Sequence, residues 1–430
     1  MKSLGLCSGV ILLAAAAAAG DWPQWRGPNF NGVAEGDAPL EWSDTKNIAW
    51  KTPIPGRGFS TPVIFGDRIF LTTAIPSAPV AAPSGQRGAG GGTASGEEHE
   101  FVVMALSRST GKVLWKQTAN KTTTHEGYHQ KYGSFASYAP VTDGKRVWAL
   151  FGSYGLYCYD VDGKLLWKKD LPAMRMVMQF GEGGSPVLAG SKLLVKLDQQ
   201  QTGSFIAAYD KDTGKELWRK DREEISSWSN PLVVKAGNRS LAIASATGKT
   251  RAYDLETGEV VWECAGLGAN VIPAPVAADG TVFVMSGFRN PNLLAIKIDS
   301  KGDLSGTAAI VWTNQKGNSY TPSPVLLDGK IYFVSDNGLV SCLNAATGEA
   351  YYRQQRLPKA YNFKASPVAA NGKLYLATEE GDVVVLKTGE QFEVLATNTL
   401  TDQFFEASPI IVDGAIYLRS QEAVYCVRAR

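Results

Sequence analysis

AYDKDTGKELW at residues 208–218 is the stretch that decides the fold, and it returns as AYDLETGEVVW at residues 252–262. Gly214 and Gly258 supply the positive φ that a tight turn needs, while the Asp and Thr side chains of each copy hydrogen-bond the turn backbone. The tryptophan four residues after each glycine presents a large flat face with a single N–H donor. We therefore predict that each copy is a turn followed by a strand whose tryptophan packs against a neighbouring copy.

The same ending recurs along the chain, and two copies depart from it. Tyr352 replaces tryptophan in the sixth repeat, and Glu393 takes the position in the seventh with Phe392 beside it. Flat indole faces at a fixed place in successive repeats indicate a repeated contact between repeats. We expect six tryptophans to dock repeat against repeat: Trp50, Trp115, Trp167, Trp218, Trp262 and Trp312.

A proline opens an apolar strand eight times, at Pro62, Pro140, Pro186, Pro231, Pro275, Pro324, Pro367 and Pro409. All intervals fall between 42 and 49 residues except the first, which is 78 and contains a Pro/Gly/Ala/Ser-rich stretch. We interpret residues 75–99 as a disordered insertion in the first repeat. Four short strands in one such period make a propeller blade. The sequence predicts an all-β, eight-bladed β-propeller with four antiparallel strands per blade.

The two ends of the chain fit together in this scheme. The eighth repeat has room for three strands at most, whereas NIAWK at residues 47–51 matches the outer strands of other repeats. We expect this N-terminal strand to complete the last blade and close the ring. Closure removes the open sheet edges that promote aggregation.

Residues 1–20 are typical of a signal peptide, with Lys2 at the start, an apolar run over residues 10–19 and small residues before Asp21. Cys7 precedes most of the apolar run, so it is badly placed for lipoprotein acylation. No later run is long enough to span a bilayer. We expect an exported, periplasmic or extracellular protein in which residues 21–430 form a single propeller domain.

The charge balance indicates which classes of partner to expect, and the cysteine positions indicate whether disulfides form. Lys and Arg total 43 against 41 Asp and Glu, without a basic block, so we expect no nucleic-acid partner and a monomeric chain. Three of the cysteines that follow the signal peptide fall on corresponding strands of different repeats, which should keep them apart. We predict free, buried thiols at Cys158, Cys264, Cys342 and Cys426.

The docking endings resemble the tryptophan-docking motif of quinoprotein-type eight-bladed propellers. The opening DWPQWRGPN at residues 21–29 looks like the start of secreted proteins with PQQ-like repeats, and the chain is also similar to BamB-like propellers. The resemblance to BamB-like propellers implies an exported, non-catalytic scaffold without a cofactor that binds a protein partner or a small polar ligand at the cell envelope. The alternative that it implies is a quinoprotein-like oxidoreductase using pyrroloquinoline quinone and Ca²⁺.

The resemblance to quinoprotein dehydrogenases implies a Ca²⁺ site with carboxylate and Asn ligands, a catalytic Asp and two adjacent cysteines. Glu182 and Asn270 precede inner strands and are weak cofactor-binding candidates. The sequence has no adjacent cysteines, and NSYT before Pro324 contains no aspartate. Because a hard cation needs several oxygen ligands, we expect neither a metal site nor catalytic residues, and we favour the scaffold.

Residues that precede the inner strands should gather around one mouth of the central channel. They differ from repeat to repeat, which is typical of a recognition surface. We expect a ligand or partner to bind this mixed polar and aromatic rim, which consists of Arg57, His129, Lys131, Glu182, Trp228, Asn270, Tyr320, Lys364 and Glu406.

Two further patterns carry no predicted chemistry. HEGYH at residues 125–129 matches the zinc motif H-E-x-x-H, but Gly127 and the lack of helical periodicity indicate a polar loop between blades. Ser185, Ser323, Ser366 and Ser408 each precede a strand-opening proline, and we interpret them as turn or cap hydroxyls.

Overall fold

Each proline-opened repeat folds into an antiparallel sheet in the computed structural model, which describes residues 20–78 and 95–429. The eight sheets are the blades of a propeller, so the predicted fold class is confirmed. The strands are given in the order inner, second, third and outer: blade 1, Val63–Phe65, Arg68–Pro76, Glu98–Ser107 and Val113–Thr123; blade 2, Val141–Thr142, Arg146–Leu150, Leu156–Asp160 and Leu165–Lys169; blade 3, Val187–Ala189, Lys192–Leu197, Ser204–Asp210 and Glu216–Arg222; blade 4, Leu232–Ala236, Arg239–Ala244, Lys249–Asp254 and Val260–Ala265; blade 5, Val276–Ala278, Thr281–Ser286, Asn292–Lys297 and Ile310–Asn314; blade 6, Val325–Leu327, Lys330–Val334, Leu339–Asn344 and Ala350–Arg356; blade 7, Val368–Ala370, Lys373–Ala377, Asp382–Lys387 and Val394–Thr399; blade 8, Ile410–Val412, Ala415–Arg419, Ala423–Arg428 and the N-terminal strand Ile48–Pro53.

The N-terminal strand closes the ring as predicted. Ile48–Pro53 pairs antiparallel with Ala423–Arg428, and Trp50 lies opposite Cys426. Two short strands add parallel pairings at other blades: Val33–Ala34 lies beside the inner strand of blade 7, and Gly302–Asp303 beside the outer strand of blade 4. The described residues also contain 3₁₀ turns at Gly152–Tyr154 and Val177–Gln179.

The second and third strands of blade 1 extend into the stretch at residues 75–99 that the sequence analysis assigned to a disordered insertion. Ile75 pairs with Glu100 and Pro76 with His99, so this assignment is wrong at both ends. The strands continue because the ring of His99 packs edge-on against Phe135, with centroids 4.8 Å apart. Residues 79–94 and the predicted signal peptide up to residue 19, with Cys7, lie outside the described residues.

Six tryptophan side chains join neighbouring blades through the indole N–H, and five of them also cover the glycine of the next blade's turn. A Cβ placed on Gly258 would lie 2.7 Å from Cδ2 of Trp218, whereas no described glycine makes such a contact with Trp262. Each indole Nε1 donates to a backbone carbonyl of the next blade: Trp50 to Arg108 (3.0 Å), Trp115 to Val161 (2.9 Å), Trp167 to Lys211 (3.2 Å), Trp218 to Leu255 (3.0 Å), Trp262 to Ile298 (3.0 Å) and Trp312 to Ala345 (3.0 Å).

Blades 6 and 7 use other aromatic contacts. Tyr352 takes the tryptophan position in blade 6 and meets Phe392 of blade 7 edge-on, with centroids 5.7 Å apart. Trp42, from the segment that precedes the ring-closing strand, stacks on Tyr375 of blade 7 at 6.5 Å. Trp42 belongs to the apolar cluster that joins blades 7 and 8, so the N-terminal segment supplies an indole where the seventh repeat has none.

The position of the missing indole in blade 7 differs from the sequence-based assignment. Ala396 lies opposite Val385, as Trp262 lies opposite Ala252 in blade 4, so the placement of Glu393 at this position is wrong. The turn of blade 7 holds one residue more than the turn of blade 4, and its glycine, Gly389, lies two residues nearer the third strand. Counting four residues from the glycine therefore stops three residues short of the docking position.

Side chains at the blade starts form a second ring of hydrogen bonds nearer the axis. The serines interpreted as turn or cap hydroxyls act between blades instead, because the strand-opening segments lie side by side and each leaves an N–H facing its neighbour. Backbone N–H groups donate to side-chain oxygens of the following blade: Ala139 to Ser185 (2.8 Å), Ser185 to Asn230 (3.0 Å), Ala274 to Ser323 (2.9 Å), Ser323 to Ser366 (2.9 Å), Ser366 to Ser408 (3.1 Å) and Ser408 to Thr61 (3.0 Å).

The N-terminal segment before the ring-closing strand runs into the central channel. The side chain of Arg26 is buried and reaches the starts of blades 6 and 7 from the axis. The contacts of the segment run around the ring: Trp22 pairs with Ile64 of blade 1, Pro23 O accepts from Thr142 N of blade 2 (2.9 Å), and Arg26 donates to the carbonyls of Pro324 (2.9 Å) and Pro367 (2.6 Å). This segment therefore fills one part of the channel with the protein's own chain.

The cysteines follow the sequence-based prediction. Within the described residues, Cys158, Cys264, Cys342 and Cys426 are free and buried. Burial raises the pKa of the Cys158 thiol to about 12, which keeps it protonated at neutral pH. These thiols therefore act as small apolar side chains.

The docking contact predicts a difference between two glycine substitutions. Gly258 and Gly280 share a φ of +73°, but a Cβ at Gly280 meets no atom within 4 Å. Alanine at either position should cost about 1–2 kcal/mol for left-handed backbone, and Gly258→Ala should add about 1–3 kcal/mol for collision with the indole. Chemical denaturation should show a clearly larger loss of unfolding free energy for Gly258→Ala. Equal losses would contradict this account of docking.

Candidate functional site

The channel that the N-terminal segment leaves open forms an axial cavity of about 700 Å³. Trp25 of that segment lines it from within the channel, and its mouth lies among the loops that precede the inner strands. Seven of the nine predicted rim residues line the cavity: His129, Glu182, Trp228, Asn270, Tyr320, Lys364 and Glu406. The other two, Arg57 and Lys131, interact with residues of the wall without lining the cavity.

Ion pairs order the cavity wall beside blades 6 to 8. Lys131 Nζ lies 2.6 Å from Glu379 Oε2, and Lys364 Nζ lies 2.7 Å from Asp336 Oδ2. Arg57 donates to backbone carbonyls, with its Nε 2.9 Å from Gly133 O. Most of the charged groups here are therefore already held by partners within the protein.

Glu406 differs from these neighbours because its Oε1 is buried and has no hydrogen-bond partner within the part of the chain that the structure describes. Burial raises the pKa of Glu406 well above its ordinary value, and the nearby Arg57 offsets only part of that effect. An unpartnered buried carboxyl oxygen costs free energy. A carboxyl kept in such a place, at the edge of a cavity, is typical of a functional site.

Glu182 is held by the neighbouring blade. Its Oε1 accepts from Ser153 Oγ at 2.6 Å, and its Oε2 accepts from Ser153 N at 2.8 Å and Tyr138 Oη at 3.3 Å. Burial raises the pKa of Glu182 to about 7, although these hydrogen bonds lower it. Glu182 therefore changes charge near neutral pH.

The cavity does not provide the ligand set of a quinone and Ca²⁺ site. Glu182 and Asn270 both line it, but Glu182 already accepts three hydrogen bonds and Asn270 bonds to the side chain of Tyr320. Ca²⁺ takes about six to eight oxygen ligands. Across residues 20–78 and 95–429, no three His, Cys, Asp or Glu side chains group as metal ligands.

The H-E-x-x-H sequence forms a loop without helical structure. His125 Nε2 lies 2.8 Å from Met174 O, and Glu126 Oε2 accepts from Met176 N at 2.8 Å. His129 lies apart at the cavity, where its Nδ1 accepts from the N–H of Tyr132 at 3.2 Å. The two histidines therefore bond to different backbone groups, which agrees with the loop that the sequence predicts.

Sequence reasoning missed most of the apolar lining. Trp25 comes from a non-repeating segment, and Phe288 follows a second strand rather than precedes an inner one. Met178 and Ile225 lie at the mouth with relative exposures of 61% and 40%. The only signal for them was their excess of apolar character within loops, since nothing in the repeat pattern marks these positions.

A family model described as "Outer membrane protein assembly factor BamB" matches residues 99–351 and 304–430. The chain belongs to this family. It is 30% identical over 161 residues to the BamB protein of Moranella endobia (strain PCIT), an alignment that covers 35% of this chain and 39% of that protein. The chain thus spans less than half the length of this curated relative.

Solved structures show the same fold at low sequence identity. BamB from Moraxella catarrhalis matches with a TM-score of 0.54 and 15% identity, covering 83% of this chain and 98% of that one. A europium-containing methanol dehydrogenase matches with a TM-score of 0.65 and 11% identity, covering 93% and 89%. Among the described residues, no helix is long and apolar enough to cross a membrane.

The raised pKa of Glu182 predicts a pH dependence of stability. Between its ordinary value of 4.5 and about 7, the folded chain holds a proton that the unfolded chain has released. The contribution of Glu182 to stability should therefore fall as pH rises through this window. Denaturation across this pH range should show the unmodified protein losing stability relative to Glu182→Gln. Glu256→Gln, at an exposed side chain, is the matched control, and parallel profiles for the protein and Glu182→Gln would contradict the assignment.

Proposed function

We propose that the mature chain, residues 21–430, is an exported, non-catalytic binding protein of the cell envelope, active in the periplasm or outside the cell. Its recognition surface is the mouth of the axial cavity. The observation that carries this proposal is the cavity itself, which the chain's own N-terminal segment narrows within the channel and which opens among non-repeating loops. Membership of a family described as an outer membrane assembly factor supports a scaffold role at the envelope.

An apolar lip, formed by Met178, Ile225 and Phe180 on one side of the mouth, is evidence that the partner is a polypeptide. Met178 is 61% exposed and Ile225 is 40% exposed, and both border the cavity beside Phe180. Exposed apolar side chains grouped at a cavity mouth mark interaction sites. Methionine adapts its shape to varied partners, and it is over-represented at promiscuous binding surfaces.

The backbone of the lip is left-handed at two residues other than glycine. Met178 and Gln179 have φ values of +51° and +54°. Left-handed backbone at residues other than glycine costs about 1–3 kcal/mol each, and such strain clusters at binding sites. The loop therefore exposes Met178 on left-handed backbone, which costs stability.

Charged substitutions at the lip provide a test of the partner surface. A photocrosslinker at position 178 should capture the partner in cells, and the purified partner should then bind in a titration. Met178→Asp combined with Ile225→Asp should weaken that binding at least about tenfold, because both changes place charge against an apolar contact. Leu114→Asp, at a side chain 48% exposed on an outer strand, should leave it unchanged. Equal binding by the lip variant, or crosslinking only from outer strands, would refute the mouth as recognition surface.

The quinoprotein alternative predicts a different titration. Because the described residues bring no three His, Cys, Asp or Glu side chains together as metal ligands, we expect calorimetry to show no binding of pyrroloquinoline quinone with or without Ca²⁺. Glu182→Ala serves as the control for any signal. One-to-one, Ca²⁺-dependent binding that this substitution abolishes would replace the scaffold with an oxidoreductase.

A further inference from the structure

Flat aromatic faces surround the axial cavity on several sides. Trp25 lies within the channel, Trp228 comes from the start of blade 4, and Phe288 and Tyr320 lie near each other with ring centroids 5.2 Å apart. The indole of Trp228 is fixed because its Nε1 donates to Gly181 O at 2.8 Å. Rigid aromatic rings offer a ligand large contact areas without loss of side-chain entropy.

Burial weakens the negative charge of the cavity lining. Among the described lining residues, the acidic and basic side chains are Glu182 and Glu406 against Arg289 and Lys364. Burial raises the pKa of both carboxyl groups, so neither offers a cationic ligand a full negative charge at neutral pH. Lys364 is already paired with Asp336, and burial lowers the pKa of His129, so an anionic ligand gains little from either side chain. We therefore expect the wall to favour an uncharged ligand.

Unpartnered acceptors show where such a ligand would bond. Among the described residues, Glu406 Oε1 borders the cavity without a donor, and Glu379 Oε1 behind it is also buried without a hydrogen-bond partner. Lys364, which lines the same wall, carries ammonium donors close to both carboxyl groups. A group that donates to a carboxyl oxygen and accepts from an ammonium at one place is a hydroxyl.

We propose that the axial cavity binds a neutral carbohydrate, with sugar hydroxyls bonded between Glu406 and Lys364 and a ring face stacked on the aromatic wall. The cavity volume of about 700 Å³ is in the range of small-ligand sites. The N-terminal segment fills the channel around Arg26, so a glycan would enter from the mouth and would be bound at a chain end. This proposal rests on the proposed binding role of the same cavity.

Glu406→Leu is the main test variant. It removes the unpartnered oxygens without leaving a charge, so we expect the melting temperature to stay the same or rise. Phe288→Ala removes part of the aromatic wall. Glu256→Leu is the matched control, since Glu256 pairs with Lys192 on the outer surface with its side chain 72% exposed.

The probes are a glycan array with neutral, sialylated and amino-sugar oligosaccharides, followed by calorimetry with maltotriose, cellotriose and any other neutral hit. We expect one-to-one binding of a neutral oligosaccharide that quenches tryptophan fluorescence. Glu406→Leu should weaken it about tenfold, the equivalent of one lost hydrogen bond, and Phe288→Ala should weaken it as well, while Glu256→Leu should bind normally.

Three results would overturn the proposal: no neutral glycan bound on the array, binding of charged glycans alone, or full affinity in Glu406→Leu. A polysaccharide that binds along its length rather than at its ends would contradict the single entrance. Crosslinking from position 178 is scored in parallel. If the lip captures a partner while the array is blank, only the carbohydrate is wrong, whereas failure of both refutes the binding role of the mouth.

Discussion

The fit of an indole ring onto the turn of the next blade is the contact on which the rest of this structure depends. Each blade exposes two faces and is too small to bury them alone. The close approach of Trp218 to Gly258, together with the bond from its Nε1 to Leu255 O, fixes the distance and rotation between adjacent blades. Five repetitions of this geometry, and a sixth junction at which Trp262 makes the hydrogen bond without the glycine contact, bend a linear series of sheets into a ring.

A ring made in this way leaves an axis that the repeats themselves do not fill. The chain uses its non-repeating N-terminal segment there. Arg26 is buried against the carbonyls of Pro324 and Pro367, and no carboxylate of the described residues pairs with it. Those carbonyls lie at the starts of blades 6 and 7, so one side chain satisfies acceptors of two blades. The same segment then places Trp42 at blade 7 and ends as the outer strand of blade 8.

The periodicity of the sequence is sufficient to predict those parts of the structure that repeat. The blades, the closing strand and six of the lining residues follow from one register, because equivalent positions before the inner strands reach the same mouth. His129, the seventh, is predicted from its loop instead. Prediction failed where local spacing changed or contacts were distant. Glu393 is misplaced because the turn of blade 7 is longer and its glycine comes earlier. The serine hydroxyls are predicted to act locally but bond the neighbouring blade, and Trp25 and Met178 have no counterparts in the repeats that could predict them.

The axis also carries costs that the fold does not require. Elsewhere in the ring, blade starts satisfy their neighbours with small side chains such as Ser323 and Ser366. Glu406 instead buries an unpartnered oxygen, and Met178 adopts left-handed backbone at an exposed position. Each feature costs on the order of 1–3 kcal/mol, a large share of the stability of an ordinary domain. Both features border one cavity. The contacts of a bound ligand would offset part of the free energy that these features cost.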